Sequence, residues 1–203
     1  MFKKHLVIMS LLGVCAHSAL AGTAGKIVPR YNYRVGPYVG VSGGVITNFS
    51  CLPGALVATY NGIEGQVSAG WGHLNYQNIY IGGEFFGGTS AISKNMVPHN
   101  KGIYSVKSTW GYGFDLMPGL LINDLVLGYL RIGVNQLNFP DLHTTPTGYR
   151  LGLGGQTNVY KNLDLRAEYV FNQYKPSGVI NHLGGINRLD AELFNIGIVY
   201  KFV

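Results

Sequence analysis

The side chains able to do chemistry in this 203-residue chain fall into two sets. Eight charged residues, Glu64, Glu84, Lys107, Asp115, Arg131, Arg150, Arg166 and Glu168, stand inside stretches otherwise made of glycine, small polar and apolar residues. Carboxylates and guanidiniums in such surroundings are costly when buried apart and become tolerable when they pair and share hydrogen bonds. The second set is His99, His143 and His182, with Asp141 and Thr144 beside His143 and Ser177 near His182. A base, a nucleophile and an orienting acid are what acyl transfer requires. These residues form no recognisable catalytic motif, so they are expected to be solvated loop side chains, with no catalytic role. His73 belongs to a different, shorter connection. No His, Cys or carboxylates share metal-ligand spacing within one segment. The run Gly152-Leu153-Gly154-Gly155 lacks the following helix that a phosphate loop needs. No metal or cofactor is expected.

The elements that position the first set are strands. Side chains on a strand alternate between two faces, and Ile63, Gly65, Val67, Ala69 and Trp71 interleave with Glu64, Gln66, Ser68, Gly70 and Gly72. Residues 106–115, 150–159 and 163–172 repeat the pattern. Glycine-diluted versions occupy 37–47, 78–89, 125–136 and 190–202. In the last, Phe194, Ile196, Ile198, Tyr200 and Phe202 make one apolar stripe, opposite Asn195, Gly197, Val199 and Lys201, with Val203 following the aromatic. Eight strands of about ten residues each suit a tilted membrane crossing. Long connections are predicted near 48–61, 90–102, 137–147 and 173–189, and short ones near 73–77, 116–124 and 160–162. That alternation puts both chain ends on the side of the short turns, which requires an even strand number.

Composition supports the same class. Only 12% of residues are charged, beside 30 glycines and 14 tyrosines, whereas a water-facing surface carries roughly a quarter or more. The first residues read as a secretory signal: Lys3 and Lys4, an apolar run from Leu6 to Val14, and the small-x-small site Ala19-Leu20-Ala21. A lipoprotein signal ending at Cys15 is the rival, but Leu12-Gly13-Val14 lacks the small residue before the cysteine. Losing the two lysines lowers the net charge from +6 to +4, only mildly basic, and no nucleic-acid partner is expected. Cys51 then has no internal disulfide partner. The expected organisation is a signal peptide over 1–21, an ordered periplasmic lead-in over 22–36 and a single barrel domain over 37–203.

A soluble lipocalin also has eight strands with one polar and one apolar face. Here the polar face is mostly Gly, Ser, Thr, Asn and Gln, which fits a crowded interior better than a solvated exterior. Bulky aromatics, Trp71, Trp110, Tyr112, Phe114, Tyr149, Tyr169, Phe171 and Phe202, gather toward strand ends, where rings meet lipid headgroups. On signal peptide, strand count, connection pattern and terminal aromatic strand, the chain resembles the small eight-stranded outer-membrane β-barrels typified by the OmpA transmembrane domain, OmpX and the Opa opacity proteins.

The resemblance implies an all-β, eight-stranded antiparallel up-and-down transmembrane barrel in the bacterial outer membrane. Its interior would be plugged and salt-bridged, with Glu64, Lys107, Arg150 and Glu168 central. It further implies contact with outer-membrane lipids and recognition of the last strand by the barrel-assembly machinery. Lys94, Lys101, Lys175 and Arg188, in or beside the long connections, are the candidate contacts to lipopolysaccharide phosphates, against the simpler expectation of ordinary solvated loop charge. Envelope structure or surface adhesion, with a host or surface ligand at the outer loops, is the expected role. A narrow gated channel, a lipid A-modifying enzyme and a soluble binder are the alternatives.

Overall fold

The computed structural model describes residues 33–52, 55–75, 78–92, 98–99, 102–103, 108–123, 125–138, 145–174 and 188–202, and every regular element among them is a strand. The elements are β1 (Pro37–Leu52), β2 (Ala55–Leu74), β3 (Ile79–Ile92), β4 (Pro98–His99), β5 (Gly102–Ile103), β6 (Trp110–Asn123), β7 (Val126–Leu137), β8 (Thr147–Tyr160), β9 (Leu163–Tyr174) and β10 (Arg188–Lys201). Eight of them close a barrel in the order β1-β10-β9-β8-β7-β6-β3-β2, with β2 back against β1 and every pairing antiparallel. β4 and β5 form a separate two-stranded hairpin between β3 and β6. The barrel closes where β1 pairs β10, from Tyr38↔Lys201 to Cys51↔Arg188.

The two faces divide as the alternation requires. Along β10, Phe194, Ile196, Ile198, Tyr200 and Phe202 are exposed on the outside, while Asn195, Val199 and Lys201 are buried inside. Apolar side chains such as Val41, Ile63, Phe85, Leu130 and Leu151 are exposed around the whole wall, and buried charges fill the interior. Water would penalise that exterior and reward that interior least of all. The polarity is that of a barrel in lipid.

Three connections differ from expectation. Residues 48–61 are paired strand up to Leu52↔Ala55, with a register shift at Ser50/Leu52, so the predicted long loop is a hairpin joined by residues 53–54. Asn48, Ser50 and Pro53-Gly54 read as loop composition, yet the stretch also holds Thr47, Phe49, Val57, Thr59 and Tyr60, which favour extended backbone. At 20 residues β2 is about twice what a crossing needs. Among its residues of described burial, Ile63, Val67 and Trp71 are exposed apolar positions of the wall.

The turn predicted near 116–124 is strand as far as Asn123, because Leu116, Leu120 and Ile122 face outward and Met117 and Leu121 inward. Pro118 lacks an N–H to donate, but Leu116↔Ile132 and Gly119↔Tyr129 on either side keep one register. The real turn is capped by Asn123, whose Oδ1 accepts from Leu125 N (3.0 Å) and Val126 N (2.8 Å). His73, assigned to the turn near 73–77, is the outward-facing strand residue opposite Ile81.

Candidate functional site: the charged interior

Arg131 lies between Leu130 and Ile132, which face outward, so the period of the strand sends its side chain inside. There its guanidinium meets three carboxylates from three strands. Nε donates to Asp115 Oδ2 at 2.7 Å, Nη1 to Glu168 Oε2 at 2.6 Å, and Nη2 to Glu84 Oε1. Arg131, Glu84 and Asp115 side chains have no exposed surface. A planar fork with five N–H groups is the side chain suited to such a junction.

Register explains why the arginines are needed. Glu84 and Asp115 are directly opposite each other on β3 and β6, and like charges so placed repel. Arg131 bridges both. Arg166 adds a 2.6 Å contact from Nη1 to the second oxygen of Glu84, and Arg150 Nε lies 3.1 Å from Asp115 Oδ2. Tyr129 donates to Glu168 Oε1 at 2.5 Å, and Arg166 Nε donates to Gln156 Oε1 at 3.0 Å. Closer to the inner end, Lys201 Nζ is 2.5 Å from Asp164 Oδ2, which also accepts from Gln156 Nε2 at 2.6 Å. Among the described residues the ion-paired interior thus holds Arg131, Arg150, Arg166 and Lys201 against Glu84, Asp115, Asp164 and Glu168, a neutral set.

Rings wall the charges in. Arg150 stacks on Phe86 at 4.0 Å, and Arg166 lies over Tyr38 at 5.3 Å. Below them Tyr33, Tyr80, Met117, Leu121, Leu127 and Tyr129 pack together at the inner end. Tyr38, Tyr80, Tyr129 and Tyr174 each lie against a glycine of a neighbouring strand. A Cβ on Gly154 would come within 2.6 Å of the Tyr129 ring, and one on Gly148 within 2.7 Å of the Tyr174 ring. The glycine content of the wall is in part the space these rings occupy. At the outer end a cavity of about 20 Å³, lined by Glu64, Arg150, Asn135 and Tyr174 among others, has room for about one water molecule.

Of the eight predicted interior charges, Glu84, Asp115, Arg131, Arg150, Arg166 and Glu168 converge in one network. Glu64 is half-buried at the outer cavity and not at the centre, and Lys107 lies outside the described residues. The centre is Arg131. Lys201, Asp164 and the interior tyrosines were missed as members, although Lys201 and Asp164 share the inward phase of their strands. Tyr33 was assigned to a periplasmic lead-in, but it is 5% exposed and packs against the barrel interior. Its buried position beside the Asp164 carboxylate pushes the phenol well above the usual tyrosine range, so it remains a donor.

Among the aromatics, Trp71, Trp110, Tyr112, Tyr149 and Phe202 are exposed on the outer face, and Phe114, Tyr169 and Phe171 are half-exposed. Trp110 stacks on Tyr112 near the outer end, and Tyr200 meets Phe202 edge-on at the inner end. Lys94, Lys101, Lys175, His143, His182, Asp141, Thr144 and Ser177 lie outside the described residues. Arg188 and His99 are placed by backbone alone, in β10 and β4.

The profile of the family described as "Outer membrane protein beta-barrel domain" matches residues 7–202. Comparison with curated protein sequences finds no match. Among solved structures, Neisserial surface protein A is similar at 17% identity and a TM-score of 0.55, over 82% of this chain and 97% of that one. Ail, the attachment invasion locus protein of Yersinia pestis, is 15% identical with a TM-score of 0.44, over 82% and 99% of the two chains. The outer membrane enzyme PagL is 11% identical with a TM-score of 0.43, over 78% and 99%. At 17% identity the likeness to Neisserial surface protein A is one of fold.

Proposed function

Since the chain belongs to the outer membrane protein β-barrel family of the bacterial outer membrane, we propose that it works as a plugged, non-catalytic barrel that holds its outer connections at the cell surface. The observation that carries this reading is Arg131, buried to zero exposure among Asp115, Glu84 and Glu168 in a barrel of eight strands. A lumen of that strand number is just filled by side chains, and here the ion-paired cluster occupies its middle. Lys94, Lys101, Lys175 and Arg188, which the sequence puts in or beside the long connections, suit the phosphates of lipopolysaccharide. The exposed rings from Trp71 to Phe202 suit the two lipid–water boundaries. Recognition of the aromatic last strand by the assembly machinery, cleavage after residue 21 and a surface ligand at the outer connections belong to the same reading. The non-catalytic assignment rests on the loop histidines standing in no catalytic motif.

The test is conductance of the purified, refolded protein in planar bilayers. A silent membrane is expected at physiological salt. Discrete single-channel steps from the wild-type protein would overturn the plug and favour a gated path.

A further inference from the structure

We infer that the inner mouth of the barrel is closed by the chain itself: residues 33–36 fold back across it, and Tyr33 is the latch that holds them. Tyr33 precedes the first strand, yet its ring is buried at the inner end of the lumen. Its hydroxyl donates to Asp164 Oδ2 at 3.0 Å, and Lys201 Nζ stands 3.6 Å from the ring centroid while contacting the same carboxylate at 2.5 Å. One Asp–Lys pair therefore grips the phenol from its edge and its face. Two further contacts fix the segment: Arg34 Nη1 donates to Asn162 Oδ1 at 2.5 Å, and Gly36 O accepts from Gly72 N at 3.0 Å.

These partners lie on β2, on the turn after β8, on β9 and on β10, so the segment reaches both sides of the seam where the last strand meets the first. The sheet is already closed by β1 and β10 without it. What the segment adds is a cover over the apolar floor formed by Leu121 and Leu127. It is attached by a few side-chain contacts and one backbone hydrogen bond and not by a ladder, which is the construction of an element that opens locally while the barrel stays folded.

The inference goes beyond the plug, because the ion cluster fills the middle of the lumen and the latch closes its end. It is tested by placing a single cysteine at Leu127, in a chain with Cys15 and Cys51 replaced by serine, and labelling the folded, detergent-solubilised barrel with a charged methanethiosulfonate. Heat-modifiable gel migration reports that each variant is folded. With Tyr33 present labelling is expected to be slow, and Tyr33→Ala should speed it by about tenfold or more through local opening. Tyr33→Phe, which keeps the ring beneath Lys201 but loses the bond to Asp164, should fall between the two rates. Equal rates with tyrosine and alanine at position 33 would overturn the latch. Should Leu127→Cys fail to fold, Leu121→Cys gives the same comparison. The two readings fail separately: wild-type conductance removes the plug, and equal labelling removes the latch.

Discussion

Leu130 and Arg131 are consecutive residues of one strand in opposite solvents. Leu130 is 50% exposed on the outer wall, and Arg131 is fully buried among three carboxylates. A soluble protein arranges these the other way round. The inversion teaches that the wall is held by two unlike requirements: outside, only the absence of charge matters, and many apolar side chains would serve. Inside, the identity and position of each charged group matter, because each satisfies a partner that would otherwise stand bare in a medium of low dielectric.

The comparison is broken most severely from the inside. Arg131→Met removes the shared partner of Glu84, Asp115 and Glu168, leaving opposed carboxylates with only Arg150 and Arg166 nearby. Breaking a buried pair in this way costs about 3–5 kcal/mol, read as a fall in the urea midpoint of the barrel refolded in lipid vesicles. A loss below about 1 kcal/mol, the scale of one ordinary hydrogen bond, would mean that the cluster does not hold the barrel together. The outer face is challenged by Leu130→Arg, in the middle of β7. A cation facing lipid near the midplane costs about 2–4 kcal/mol. On a wall that faced water the same change would fall within about 0.5 kcal/mol of zero, so an unchanged midpoint in vesicles would contradict a lipid-facing wall.

The same asymmetry governs what could be read from the sequence. Which face a residue takes follows from the period of two, and the apolar stripe of residues 194–202 and the inward phase of Glu84, Asp115, Arg131, Arg150, Arg166 and Glu168 are both as alternation requires. Height along the barrel is not encoded that way. It depends on the stagger between strands, so Glu64 was expected at the centre and lies by the outer cavity. The interior tyrosines were hidden by residue type: an aromatic ring in a membrane strand suggests the lipid boundary, but Tyr129 shares its phase with Leu127 and Arg131, and phase was the better guide. The extended β1–β2 hairpin and the Pro118-Gly119 stretch were misread for a related reason. Turn-forming composition competes with long-range pairing, and in a closed barrel the neighbours on both sides outvote it.

The finest form of the comparison needs no charge at all. Gly154 and Gly155 are adjacent on β8, one facing the lumen and the other the outside. A methyl group at Gly154 would come within 2.6 Å of the Tyr129 ring, while at Gly155 nothing lies within 4 Å. Tyr129 cannot retreat freely, because its hydroxyl is bound to Glu168 and its ring packs beside Arg166. Gly154→Ala should therefore cost about 1–3 kcal/mol, as overpacking of a filled core does. Gly155→Ala should fall within about 0.5 kcal/mol of zero, tilted toward stabilisation by the reduced freedom of the unfolded chain. Matched urea midpoints for the two variants would mean that the lumen yields as readily as lipid. That result would undo the view of the interior as a packed core, with the arginine network as its rigid centre.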